Sequence, residues 1–490
     1  MVSVEDSYLS VNPLSPHVIQ REEEEDSEGG VEQGGNSTIW QAALNFTNSI
    51  VGAGIVGMPF ALKECGLVLG LVCLVSVALL IDRSVNMLIE TGVREGKRDF
   101  ESLAGHLCGR SGFIVTLLSM FLFAFGGMCA YMIVIGDTVP AVIAASGGSI
   151  SRTGAILVSS LFIVLPLCLA KDLSSLSFSS LVSVAADVLL VVLVVVGAPA
   201  SAKAQGVATP PHGGYTLFSN NTFVGVGAMS FAFVCQHNSM IVFRSLKEPT
   251  VSNWQRVSAM SIGFALGLCV LFGLAGYLAF ADFCKGDILN NFRPTETFLN
   301  VARGALAFTM TLTYPQELFV ARHCVLQIYR YSSSGGRGLQ LNDSSTSDHN
   351  LLVKSETVPA ASVPGSGEDL TPASDPGCAS ECATHFEFYV ITILLFSTTT
   401  SVALATSDLG VVLSLTGAVA ASLLGYVLPP LLFLASHKGQ IFKRQEQNGG
   451  GLIGLAISLF PRYSLPVGMI AFGCVACVLG VVSVFLPGGL

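Results

Sequence analysis

Apolar and polar positions in this chain alternate on the scale of whole segments. Eleven stretches are apolar over roughly the 20 residues a helix needs to cross the hydrocarbon of a bilayer: 39–62, 66–90, 112–137, 154–170, 177–199, 222–245, 258–281, 297–328, 385–405, 409–433 and 464–486. Each predicts a transmembrane helix, so the chain reads as an all-α polytopic membrane protein. Two hydrophilic stretches are long. One is residues 1–38; the other is 330–384, rich in Ser, Gly, Pro and Asp, and both are predicted to be disordered.

Two of the apolar segments are written to break. "NSIVGAGIVGMPF" (48–60) places Gly52, Gly54, Gly57 and Pro59 inside the first span. Unwinding there frees backbone N–H and C=O groups within the membrane, which is costly unless they line a cavity or hold a ligand. The freed N–H groups of Gly52, Ala53 and Gly54 suit a carboxylate, and freed carbonyls suit a cation. Close packing through small residues is the competing account of these glycines. The sixth span, "NTFVGVGAMSFAFVCQHNSMIVF", is interrupted by Gly225, Gly227 and the polar run Gln236-His237-Asn238. Broken segments at the head of two sets of five spans are the sequence pattern of an inverted-repeat transporter. The predicted layout is a first repeat at 39–199, a loop at 200–221, a second repeat at 222–329 and 385–433 divided by the 330–384 loop, and a final segment at 434–490 holding one extra helix.

Charge sets the orientation. With the N-terminus in the cytosol, 17 Lys and Arg fall on the cytosolic side and five on the other, a positive-inside asymmetry. The sequon at Asn220 then lies on the non-cytosolic side, a candidate glycosylation site. The formal net charge of −9 comes from the polar tails, with nine acids in residues 1–37 and seven in 330–383, and does not suggest nucleic acid. The acidic start lacks the features of a cleavable signal peptide, so the first span is expected to act as its own insertion signal. Most of the 13 cysteines are small hydrophobes of apolar segments. Neither Cys474-x-x-Cys477 nor Cys378, Cys382 and His385 makes a convincing metal site.

Polar residues inside spans are the remaining candidates. Span eight carries Thr309 and Thr313 on one face ahead of Pro315, oxygen donors suited to a hard cation. Glu317 follows, with a cytosol-ward pairing to Arg322 or His323 as the favoured account. Asp187 lies deep in span five; intramembrane acids mark functional sites by default, and a hydrogen bond to Ser183 one turn away is the alternative. His237 is the candidate proton carrier, histidine being the side chain whose ordinary range lies near neutral pH, or serves as a structural partner of freed carbonyls.

"NSIVGAGIVGMPFALKECG", "SFAFVCQHNSMIVFRSLKEPTVSNW" and "TLTYPQE" resemble the sodium-coupled neutral amino acid transporters, the system A/N group of the amino acid and auxin permeases. The resemblance implies eleven spans, with a LeuT-like five-plus-five inverted repeat and one extra helix. It implies a sodium site at Asn48 and Thr313, to which the face reading adds Thr309. It implies a substrate pocket between Gly52, Ala53 and Gly54 on one side and Ser230, Phe231, Ala232 and Phe233 on the other. Some relatives carry a disulfide for which Cys284 has no partner in 200–221. Fungal vacuolar relatives share the Cys-x-His-Asn pattern and use protons.

The leading expectation is therefore secondary active transport of a neutral L-amino acid, coupled to Na+, with no cofactor. Two others stand beside it: a proton-driven exporter of an acidic organelle relying on His237, Asp187 or Glu317, and an amino acid sensor with little flux. The membrane is the plasma membrane or a lysosomal or vacuolar one. No phosphate loop, metal cluster or nucleophile with a base points to an enzyme. The pocket segment 229–233 holds no charge, which favours small to medium zwitterions, with Ser230, Gln236 or Asn238 available to a polar side chain.

Overall fold

The computed structural model describes residues 35–169, 176–207, 215–333, 376–437 and 452–485. The acidic tail to residue 34, the stretch 334–375 and the segment 438–451 lie outside the described residues, as do the side chains of Cys378, Cys382 and His385. Apart from two short 3-10 turns, the described secondary structure is helical with π-helical turns, joined by one isolated backbone bridge between Ser37 and Leu246.

The first span is three pieces: α1 (Ile39–Ile50), a single turn α2 (Ala53–Val56) and α3 (Met58–Cys65). A capping box starts α1: Gln41 N–H donates to Thr38 Oγ at 3.3 Å, and Thr38 N–H donates to Gln41 Oε1 at 2.9 Å. Its buried stripe of Ala42, Phe46 and Ile50 packs inward, with the Phe46 ring 5.0 Å from that of Trp254. The helix stops where Val51 turns extended and Gly52 leaves helical geometry altogether. Proline at the head of α3 costs nothing, because its missing N–H would have had no intrahelical partner.

Then come α4 (Leu67–Arg94), α5 (Phe100–Ala145), α6 (Arg152–Leu169) and α7 (Leu176–Ala204). The predicted span 112–137 is the middle of α5. Residues before it form a further helical stretch that turns into the span at Gly109, where φ is +65° and a side chain would be strained. The sixth span is α8 (Thr222–Phe233) and α9 (Gln236–Ser245), separated by extended Val234 and by Cys235. α10 (Val251–Phe280) begins seven residues before its predicted start because Thr250 caps it, accepting from Asn253 N–H. A compact loop, 281–296, leads to α11 (Thr297–Ser333), followed by α12 (Pro376–Ala405), α13 (Leu409–Ser436) and α14 (Leu452–Phe485).

Among the described residues nine helices are long and apolar enough to cross a membrane. The two other predicted spans fall outside that criterion for physical reasons. Pieces α1 to α3 are each too short, and the centre of α11 is diluted by threonines, Gln316 and Glu317. In the interior, α11 lies against α5 and α7, α8 against α3 and α13, and α10 against α1 and α7.

Candidate functional site

The two breaks face each other. A Cβ added to Gly54 would stand 2.5 Å from that of Ala232, so the turn α2 and helix α8 touch through a glycine. The N–H groups opening α2 have no earlier turn of that helix to bond to. Over Gly52 sits the hydroxyl of Tyr131, 3.5 Å from where a Cβ would be.

Tyr131 belongs to a stripe on α5 that sequence reading did not single out. Phe123, Gly127 and Tyr131 recur every four residues, so they share one helix face. Phe123 places its ring 5.3 Å from Phe231 and 5.1 Å from His237. Gly127 makes room for Glu317, whose Cγ is 3.7 Å from the position of a Cβ there. The spacing Phe-x3-Gly-x3-Tyr was the available signal, but it is indistinguishable from ordinary packing until the facing residues are known.

Glu317 does not pair with Arg322 or His323. Arg322 donates to Thr392 Oγ1 at 3.1 Å, and His323 meets Glu101 at 2.8 Å. The residues before Gly109 carry Glu101 to that position, where no sequence rule would have put it. Glu317 Oε1 instead lies 3.6 Å from His237 Nε2, with both side chains buried, while Glu317 Oε2 and His237 Nδ1 have no partner. Asn238 Nδ2 also approaches His237 Nε2, at 3.1 Å, and reaches Ser49 Oγ on α1 at 3.4 Å. One ring nitrogen cannot accept from the amide and donate to the carboxylate at once. Which of the two neighbours it serves depends on the ring's tautomer.

Asn48 is buried on α1. Its Nδ2 donates to Ser180 Oγ on α7 at 3.5 Å, and its Oδ1 has no partner. Thr313 donates to the Thr309 carbonyl at 2.8 Å and Thr309 to that of Ala305 at 3.0 Å. With their protons spent inside the helix, both hydroxyl oxygens keep lone pairs for a cation. Asp187 is fully buried at 0 % exposure, and neither carboxylate oxygen has a hydrogen bond, so the contact with Ser183 is not made.

The small pocket segment is buried throughout. Ser230 shares a hydrogen bond of 2.9 Å with Tyr426 on α13. Gln236 accepts from Cys235 N–H and donates to Ser84, and Asn238 is engaged as above. The three side chains expected to greet a polar substrate are thus already partnered within the protein. Cys284 is a free thiol directed at the Gly276 carbonyl. Asn220 is exposed in a turn before α8.

Two discontinuous helices crossing at a glycine, inside a bundle of membrane-length helices, define a membrane transporter of small solutes. Residues 35–485 match the model of the transmembrane amino acid transporter protein family, and the chain belongs to that family. It is 33 % identical over 307 residues to a mouse (Mus musculus) protein named "Putative sodium-coupled neutral amino acid transporter 11", covering 61 % of this chain and 67 % of that one. Its zebrafish (Danio rerio) namesake is 30 % identical over 82 % of this chain and 80 % of its own. Vacuolar amino acid transporter 2 of Saccharomyces cerevisiae is 30 % identical over 82 % and 78 % respectively. Among solved structures, a Na+-coupled sialic acid symporter aligns with a TM-score of 0.47 at 12 % identity, covering 94 % of this chain and 93 % of its own. The chain is a transporter and not an enzyme.

Proposed function

We propose that this protein is a secondary active transporter of small neutral L-amino acids, with the substrate held between the α1–α2 break and the α8–α9 break. The observation that carries this reading is the close approach of Gly54 to Ala232, with the Tyr131 hydroxyl beside neighbouring Gly52, which sets the two helix breaks against each other. Gly52, Ala53 and Gly54 take the α-carboxylate. Ser230, Phe231, Ala232 and Phe233 form the facing wall, with Ser230 tied to Tyr426. The wall holds no charge, so an ionic substrate side chain there would lose hydration without compensation. The chain crosses the membrane eleven times with its N-terminus in the cytosol. α1–α7 and α8–α13 form the two inverted repeats, and α14 is the extra helix. Asn220 faces the other side, as a glycosylation site.

For the coupling ion, sodium at Asn48, Thr313 and Thr309 is the first reading, supported by the orphaned Asn48 Oδ1 and the spare hydroxyl lone pairs. A specific observation favours protons as a second reading. His237 and Glu317 approach to 3.6 Å with both side chains buried, and Asp187 is a buried carboxyl with no hydrogen-bond partner. A vacuolar membrane fits the proton reading and the plasma membrane the sodium one.

Uptake of a labelled amino acid panel by proteoliposomes, under imposed Na+ or H+ gradients, tests the substrate and the coupling ion. Glutamine, asparagine, alanine or serine is expected to outcompete lysine and glutamate. Binding without flux would replace transport by sensing.

A further inference from the structure

A cavity of about 500 Å³ opens beside the start of the described chain, away from the helix breaks. Its walls are the end of α4, the turn that follows it and the end of α9, and among them stand Lys97, Arg98, Arg244, Met240, Phe243 and Pro249. Three of these are basic. Asp99 approaches Arg244 at 3.4 Å and takes up part of that charge. The floor is apolar and tight: a Cβ on Gly92 would lie 2.6 Å from the Met240 methyl carbon.

The chain enters at the rim of this cavity. Ser37 N–H donates to the Ser245 carbonyl at 2.9 Å, and Lys247 N–H donates to the Ser37 carbonyl at 3.0 Å. Gly35 lies against Ser245, one residue from Arg244, with no room for a side chain. Preceding this anchor is the run Glu22-Glu23-Glu24-Glu25-Asp26. Eight residues lie between Asp26 and Gly35, and the nine steps, at about 3.3 Å each, span up to about 30 Å. A tether of that length holds the acidic run near the cavity at high effective concentration.

We infer that the acidic segment Glu22–Asp26 docks in this cavity, its carboxylates against Lys97, Arg98 and Arg244. The charges are opposite, the anchor delivers the segment to the rim, and the cavity accommodates several residues. A tail seated there bridges α4 to α9, the helix that opens with Gln236 and His237. An anionic lipid headgroup presents similar chemistry and is the rival occupant.

The test uses the full chain with a photoreactive benzophenone side chain at position 27, reconstituted in neutral-lipid vesicles. Illumination is expected to crosslink the tail to peptides within 89–98 or 240–249. Lys97→Glu combined with Arg98→Glu should lower that yield about fivefold, the effect of losing two exposed ion pairs. Replacing the five tail acids by lysine in the same variant should restore it, which controls for misfolding. Crosslinks elsewhere, or a yield indifferent to the charge swap, would overturn the proposal. So would loss of the crosslink on adding phosphatidylserine, which would give the cavity to lipid. The readout needs no flux, so its failure is separable from failure of the transport reading.

Discussion

Asp287 offers a sharp test of the electrostatics outside the membrane-spanning helices. It lies in the 281–296 loop, buried, with Oδ1 accepting from Leu289 N–H at 2.8 Å and Oδ2 without a partner. Burial first, and the carboxylate of Asp137 second, push its carboxyl up to about 7 from 3.8; the Leu289 N–H, Arg303 and Lys285 pull the other way. The folded loop thus favours the protonated form. Its stabilising contribution is complete below about pH 4 and is lost as pH rises through 7. Raising the carboxyl from 3.8 to about 7, at 1.36 kcal/mol per pH unit, puts the loss at up to about 4 kcal/mol by pH 8. Asp287→Asn retains the Oδ1 acceptor and removes the charge. Hydrogen exchange of the Lys285–Asn291 amides from pH 5 to 8, corrected for intrinsic exchange rates, measures the local opening energy. The unmutated loop should open progressively more easily as pH rises, whereas the variant should be flat and more protected at pH 8. An identical pH dependence in both would show that another group controls the loop.

Other expectations follow from the same geometry. Gly54→Val would drive a branched side chain into Ala232, overpacking the crossing by about 1–3 kcal/mol; uptake should be abolished while the protein still elutes as a monodisperse species. Thr313→Ala removes a hydroxyl oxygen from the proposed cation site and should raise the Na+ concentration for half-maximal uptake more than it lowers the maximal rate; Na+-titrated uptake reads this directly. Glu317→Gln removes the carboxylate that faces His237 and should weaken uptake driven by an imposed H+ gradient more than uptake driven by Na+; an unchanged response to the H+ gradient removes this pair from the coupling. Ser230→Ala leaves the buried Tyr426 hydroxyl without its partner at a cost of about 1–3 kcal/mol, visible as a lowered melting temperature in detergent.

The helical membrane architecture and the two breaks were legible in the sequence because they depend on local properties. Segment-long apolarity reports burial in hydrocarbon or in the bundle, and Gly52-Ala53-Gly54 with Pro59, like Cys235 ahead of Gln236-His237-Asn238, shows where a helix cannot run on. The charge asymmetry predicted a sidedness by the same local logic. What faces these breaks was not legible. That Tyr131 covers Gly52, that Gly127 admits Glu317, and that Glu317 meets His237 instead of Arg322 or His323 are contacts between residues 79 to 190 positions apart. A helix side chain's neighbours at i±4 are set by the backbone, but its neighbour on another helix depends on rotation and crossing of both. The apolar stripe Phe123–Gly127–Tyr131 reads identically whether it meets lipid, another helix or a substrate. Likewise Ser230 was a free hydroxyl by sequence and became a partner of Tyr426 only when α8 packed on α13. Backbone chemistry placed the opening, and packing decided which side chains surround it.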